Sequence, residues 1–158
     1  MFLNKRKAIF LISVSSLIFI LTINQVKSQT IKIIDGDTIH LDGEKIRFTG
    51  IDTPELKQTC VNAGVKDNCG ITAKQILIDK IGDNIVECIS EGKDQYKRIL
   101  AECFVNNESL SSYLVRNGYA FAYRRYSKKF VLDEDYARIK KIGMWSMEFD
   151  YPWDFRKQ

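Results

Sequence analysis

Two short acidic segments, Asp35-Gly36-Asp37-Thr38 and Asp52-Thr53-Pro54-Glu55, place four carboxylates close together in the chain. Like charges gathered in a partly desolvated site are costly unless positive charge is supplied there. With oxygen donors and neither His nor Cys beside them, the fitting partner is a hard divalent cation, calcium or magnesium, rather than zinc or copper. The competing interpretation is that D-G and D-T-P segments simply cap turns, and for either segment alone it is the stronger one. The only histidine, His40, sits between Ile39 and Leu41 on a short strand and is expected to face solvent. Chemistry that needs a histidine base or a His-metal centre therefore loses its main component.

The two segments become one cluster only if the elements between them bring them together. Ile31, Ile33, Ile34, Ile39, Leu41, Ile46, Phe48 and Ile51, broken by Asp42-Gly43, predict two or three antiparallel strands. A hairpin turning near residues 42–45 sets Asp37 opposite Phe48 or Gly50. If the partner is Gly50, Asp52 becomes the diagonal neighbour of Asp37, roughly 7–8 Å away. Arg47 and Asp52 differ by an odd number of positions, so plain alternation places them on opposite faces. A bend or bulge near Thr49-Gly50 would reunite them.

Residues 53–68 are expected to form an irregular polar loop. A helix is predicted over 71–81 with Gly82 as its stop, strands over 85–89 and 99–105, a helix over 109–116 ended by Gly118, and a helix over 132–142 stopped at Gly143. About five strands with about three helices indicate a mainly β α+β fold, a five-stranded, OB-fold-like Greek-key barrel whose closure removes unpaired edges. No repeat or low-complexity segment occurs.

The N-terminus reads differently. Lys5, Arg6 and Lys7 precede an uncharged, largely apolar stretch from Ala8, and Val26-Lys27-Ser28 offers a cleavage site, so residues 1–28 are expected to be a signal peptide and 29–158 the mature domain. The apolar run falls short of the roughly 20 residues of a spanning helix, which favours export over a signal anchor. A secreted or periplasmic protein is expected, touching a membrane only if the leader stays. Residues 1–28 hold four of the 24 Lys and Arg and none of the 20 Asp and Glu, so the remainder carries no formal net charge. The pI of 8.8 is thus no argument for a polyanionic partner. Distribution matters more: Arg116, Arg124, Arg125, Lys128 and Lys129 lie in an acid-free stretch interleaved with Tyr119, Phe121, Tyr123 and Tyr126, a patch that could hold a polyanion. A solvated helix end is its ordinary interpretation.

The four cysteines, an even number beyond the leader, suggest two disulfides. Three pairings are open; the preferred one joins Cys60 to Cys69 across a local loop and Cys88 to Cys103 between neighbouring strands. Zinc is disfavoured because no C-x-x-C occurs.

D-G-D-T on an early strand, R-x-x-x-x-D-T-P-E at Arg47–Glu55 and D-x-Y-x-R at Asp94–Arg98 occur in the order and spacing of staphylococcal nuclease and its bacterial relatives, and the chain resembles that family across residues 31–146. The resemblance implies a calcium-dependent phosphodiesterase acting on DNA and RNA, with one Ca2+ held by Asp37, Asp52 and the Thr53 carbonyl. It implies that Arg47 and Arg98 grip the scissile phosphate, that Glu55 positions or deprotonates the attacking water, and that Asp35 and Thr38 support the motif. Tyr96 and Tyr123 are candidates for base or phosphate contact, although core packing is the expected role of each. Arg124 and Arg125 are further substrate-binding candidates. Gln95 departs from the family's basic residue near the phosphate-end contacts. The cysteines and the Tyr151–Phe155 tail resemble a secreted bacterial subgroup, and Trp145 and Trp153 are expected to pack against the barrel. No protein partner is implied, and a monomer is expected. The reading from another class is an inactive barrel that only binds single-stranded nucleic acid.

Overall fold

The computed structural model describes residues 28–158; the expected leader, apart from Ser28, lies outside the described residues. In chain order the elements are β1 (Ile31–Ile33), β2 (Thr38–Leu41), β3 (Glu44–Phe48), β4 (Ile51–Asp52), β5 (Cys60–Asn62), β6 (Val65–Asp67) and α1 (Cys69–Ile81). There follow β7 (Glu87–Lys93), β8 (Ile99–Val105), β9 (Glu108–Ser109), α2 (Leu110–Arg116), β10 (Phe121–Ala122), α3 (Val131–Lys140), a 3-10 turn (Gly143–Ser146) and α4 (Pro152–Phe155).

The main sheet runs β1-β2-β3-β8-β7, with β9 added on β8. Asp42 and Gly43 both take positive φ, 49° and 90°, the backbone of a two-residue hairpin turn, and this sets Leu41 opposite Glu44 and Thr38 opposite Arg47. β8 joins β3 in parallel, and β7 returns antiparallel to β8 with a bulge between Ser90 and Gly92. The expected mainly β, OB-like α+β fold is present, but hydrogen bonds do not close the barrel. Among the described residues, β1 and β7 are not paired with each other. The side-chain amide of Gln29 stands in for a strand there, donating to the Val86 carbonyl at 2.7 Å and accepting from the Val86 N–H at 2.8 Å. A twisted five-strand path leaves a gap at its seam, and one amide satisfies both backbone groups.

Ile39, Ile46, Phe48, Ile51, Leu77, Ile81, Ala101, Leu110 and Leu114 are buried in the main core between sheet and helices. A second core gathers Cys60, Cys69, Phe121 and Met144, with Trp145, Phe149, Tyr151 and Trp153 packed on it. The two tryptophans therefore pack around Phe121, not against the barrel core as expected: Trp145 meets Phe121 edge-on at 5.4 Å and Trp153 at 6.1 Å.

Other expectations change in detail. The supposed loop 53–68 contains the hairpin β5–β6, mostly exposed apart from buried Cys60 and without an apolar alternation to reveal it. Helix α1 starts at Cys69, earlier than the apolar pattern, because Asn68 caps it by accepting from the Ile71 N–H at 3.1 Å. Helix α3 ends at Lys140 with Lys141 in the left-handed region, ahead of Gly143, and α4 is a fourth helix begun by Pro152. His40, expected in solvent, is half-buried between Lys32 and Lys45 in the ladder. The preferred disulfides are both present, Cys60–Cys69 and Cys88–Cys103, the latter directly opposite one another on β7 and β8. Such cross-links belong to oxidising surroundings outside the cytoplasm. No helix of the described residues is long and apolar enough to cross a membrane.

Candidate active site

The first acidic segment is a tight turn leading into β2. Asp35 accepts from the Asp37 N–H at 3.1 Å across Gly36, and Thr38 Oγ1 donates to Asp37 Oδ1 at 3.0 Å. The Phe48 N–H donates to the Asp37 carbonyl at 2.8 Å, so Asp37 stands opposite Phe48 and the Gly50 register is not used. Asp52 reaches Asp37 by another route. Gly50, at φ 72°, breaks the strand after β3, and β4 pairs with β10, placing Asp52 opposite Phe121. That break reunites the side chains that alternation had separated. Arg47 Nη2 donates to Asp52 Oδ1 at 2.9 Å while Nη1 donates to Asp37 Oδ1. The Thr53 N–H and Oγ1 both donate to Asp37 Oδ2 at 3.1 Å.

Asp37 and Asp52 are 2% and 0% exposed, so one guanidinium bridges two buried carboxylates. Burial pushes the Asp37 carboxyl up to about 6; Arg47 pulls it back and the charge of Asp35 adds to the rise. The rise persists with Arg47 in place because burial is the larger effect.

Glu55 sits on the loop after β4, and its position is fixed by contacts to its backbone. Buried Gln58 accepts from the Glu55 N–H at 3.2 Å and donates its own N–H to the Glu55 carbonyl at 2.7 Å. Gly70 permits the start of α1 to close on the same loop, since a Cβ there would lie 1.8 Å from the Glu55 carbonyl oxygen. Across the cleft, Asp94 organises a turn by accepting from the N–H groups of Tyr96 and Arg98, each at 2.9 Å, and holds Arg98 Nε at 2.6 Å.

One cleft of about 850 Å3 is lined by Asp35, Asp37, Arg47, Thr53, Glu55, Tyr96, Arg98 and Tyr123. Asp52 and Thr38 lie buried behind that lining. Arg98 shares the cleft, but its carboxylate partner is Asp94, not the Asp37–Asp52 pair. Tyr96 is 71% exposed, which removes core packing as its role. Tyr123 stacks on Trp153 with ring centroids 5.7 Å apart. Arg124 and Arg125 fall outside this cleft and line an adjoining cavity of about 790 Å3, where Arg124 pairs with Glu134.

Two residues of the site carried no signal in the sequence. Gln58 is a buried amide in a stretch without periodicity. Arg156 lies in the aromatic tail, yet its Nη2 donates to Asp52 Oδ2 at 2.7 Å and its Nη1 to Glu55 Oε1 at 2.7 Å. The single local clue was Pro152, a residue suited to opening a helical turn.

The donor chemistry fits a hard cation in part. Among the described residues, no three acidic, His or Cys side chains converge on one point. Two buried carboxylates meet on the Arg47 guanidinium with the Thr38 and Thr53 hydroxyls beside Asp37, an oxygen set that would suit a dication completing its shell with carbonyl oxygens and water.

Comparison with known proteins gives the family of the chain. The family model described as "Staphylococcal nuclease homologue" matches residues 45–147, more than half of the chain. An uncharacterized endonuclease of Haemophilus influenzae is 30% identical over 125 residues, covering 75% of this chain and 65% of that protein. Endonuclease YncB of Bacillus subtilis is 30% identical over 125 residues, 72% of this chain and 58% of its own. The probable staphylococcal-like nuclease CAN2 of rice is 30% identical over 116 residues, 72% of this chain and 29% of that protein. The chain thus spans less than two thirds of the length of each of these relatives. With that match spanning β3 through the 3-10 turn, the chain belongs to the family of staphylococcal nuclease homologues.

Proposed function

We propose that this protein hydrolyses phosphodiester bonds in DNA, and in RNA, with one calcium ion held by Asp37, Asp52 and the Thr53 carbonyl. The observation that carries the proposal is the meeting of Asp37 and Asp52 around Arg47 in a cleft that also presents Glu55 and Arg98. The cation, when bound, supplies Lewis-acid stabilisation of the charge that develops on the phosphoryl oxygens.

The chain's own residues do the rest. Arg98, and Arg47 once a cation relieves it of Asp37 and Asp52, offer planar, permanently charged forks that match phosphate oxygens and strengthen as negative charge grows there. Glu55, with its backbone pinned by Gln58 and Gly70, orients or deprotonates the attacking water. Thr38 holds the Asp37 carboxylate in one orientation, and Asp35 fixes the turn by accepting from the Asp37 backbone N–H. Exposed Tyr96 and half-buried Tyr123 offer ring faces to the bases of a single strand, with Arg124 and Arg125 following its backbone in the adjoining cavity.

The relatives named endonuclease support cutting within a strand. The two disulfides support a place outside the cytoplasm; a secreted or periplasmic monomer with its leader removed is the form we propose.

Digestion of denatured DNA and of RNA, in calcium, in magnesium and in chelator, tests the reading. Cutting that needs calcium is expected; undiminished cutting by purified protein in chelator rejects the cation assignment.

A further inference from the structure

Arg156 lies beyond every strand and helix that builds the cleft, yet it takes the carboxylates on the acidic side. Its Nη2 donates to Asp52 Oδ2 at 2.7 Å, and its Nη1 to Asp52 Oδ1 at 3.2 Å and to Glu55 Oε1 at 2.7 Å. Asp52 is fully buried, so few directions of approach to its oxygens exist. Arg47 holds Oδ1, and Arg156 covers both. The Asp52 hydrogen bonds in turn hold the Arg156 proton more firmly than usual.

The segment that carries Arg156 is anchored. Trp153 stacks against Tyr151 at 4.6 Å and Tyr123 at 5.7 Å, and Gln58 Nε2 grips the Asp150 carbonyl at 2.6 Å. The guanidinium side chain itself is 39% exposed, so it can swing into solvent while α4 stays docked.

We propose that Arg156 is an internal counter-ion that competes with the divalent cation for Asp52 and so sets the cation concentration at which the cleft fills. The proposal rests on the cation reading given above. A guanidinium and a dication cannot share both oxygens of one buried carboxylate without like-charge contact. Cation entry therefore turns Arg156 off Asp52, leaving it Glu55 or solvent. A purely structural ion pair would secure the tail and leave cation affinity alone.

Calorimetric titration of calcium into the purified protein, without nucleic acid, tests this directly. Arg156→Ala is expected to bind calcium about tenfold more tightly, the equivalent of one charge-assisted hydrogen bond. Arg156→Lys keeps the charge but loses the fork, so it should shift affinity in the same direction by less. Lys157→Ala removes a neighbouring charge paired, among the described residues, to Asp154 and should leave affinity within about twofold. Unchanged or weaker binding in Arg156→Ala, or an equal gain in Lys157→Ala, overturns the competition while the cation reading stands. No calcium binding by any form, with DNA still cut in chelator, overturns both. Should Arg156→Ala fail to fold by circular dichroism, the Arg156→Lys affinity decides.

Discussion

Replacing Arg47 by methionine removes the guanidinium between Asp37 and Asp52 while keeping a long, flexible side chain in its place. The Arg47 side chain is 19% exposed and its partners 3% and 1%, so the lost interactions are largely shielded from water. Breaking a buried ion pair by removing one partner costs about 3–5 kcal/mol, because a charge is left without compensation. Asp52 keeps Arg156, and Asp37 keeps its bonds from Thr38 and Thr53, which points to the lower end, about 3 kcal/mol at pH 7. That is a large share of the roughly 5–15 kcal/mol that holds such a domain folded. Urea unfolding in chelator, comparing midpoints at unchanged slope, measures it. The pH dependence has a definite sign. Asp37 already takes up its proton near 6, and without Arg47 it does so at higher pH still. The variant's native state then binds more protons than the native wild type, so the deficit shrinks as pH falls from 7 toward 5. A loss below about 1 kcal/mol at pH 7, or one that grows on acidification, would refute the account of Arg47 as the buried bridge.

Arg98→Ala should lower turnover on denatured DNA by about a hundredfold or more with an unchanged melting temperature; near-normal turnover would make Arg98 an ordinary partner of Asp94. Glu134 is buried beside the Ala122 N–H and Arg124, and burial raises its carboxyl above the ordinary 4.5. Its stabilising contribution is thus present below that value and lost as pH rises through the raised one. The unfolding free energy of wild type minus that of Glu134→Gln should fall across this window, and a rising difference would contradict the burial effect. Replacing Cys88 and Cys103 together by serine should cost about 3 kcal/mol, the chain entropy of a loop with a sequence separation of 15. An unchanged urea midpoint would mean that the cross-link adds nothing to the β7–β8 ladder.

The elements were legible wherever a local rule acts. Asp42-Gly43 imposes its hairpin because few residues accept positive φ, and the apolar spacing of 71–81 marks α1 because one helical face must be dry. The hairpin at 60–67 was not legible because Cys60 is its one buried residue, so no apolar face repeats along it. Asp37 and Asp52 were recognisable as a pair, but the pattern left Asp37 opposite either Phe48 or Gly50, and the structure takes Phe48, the register in which Asp52 is not its diagonal neighbour. Their meeting depends on Gly50 ending one pairing and Phe121 offering another, and Phe121 lies far along the chain.

By itself the sequence determined the acidic motifs, the arginines beside them, the turns, the main strands and helices, and the even set of cysteines. Tertiary structure decided which of these groups touch. The Gln29 amide meets Val86 across 57 positions, Gln58 meets Asp150 across 92, and Arg156 meets Asp52 across 104. No periodicity encodes such contacts, since each forms only after the collapse of the apolar core has brought distant segments together and left a buried polar group in need of a partner.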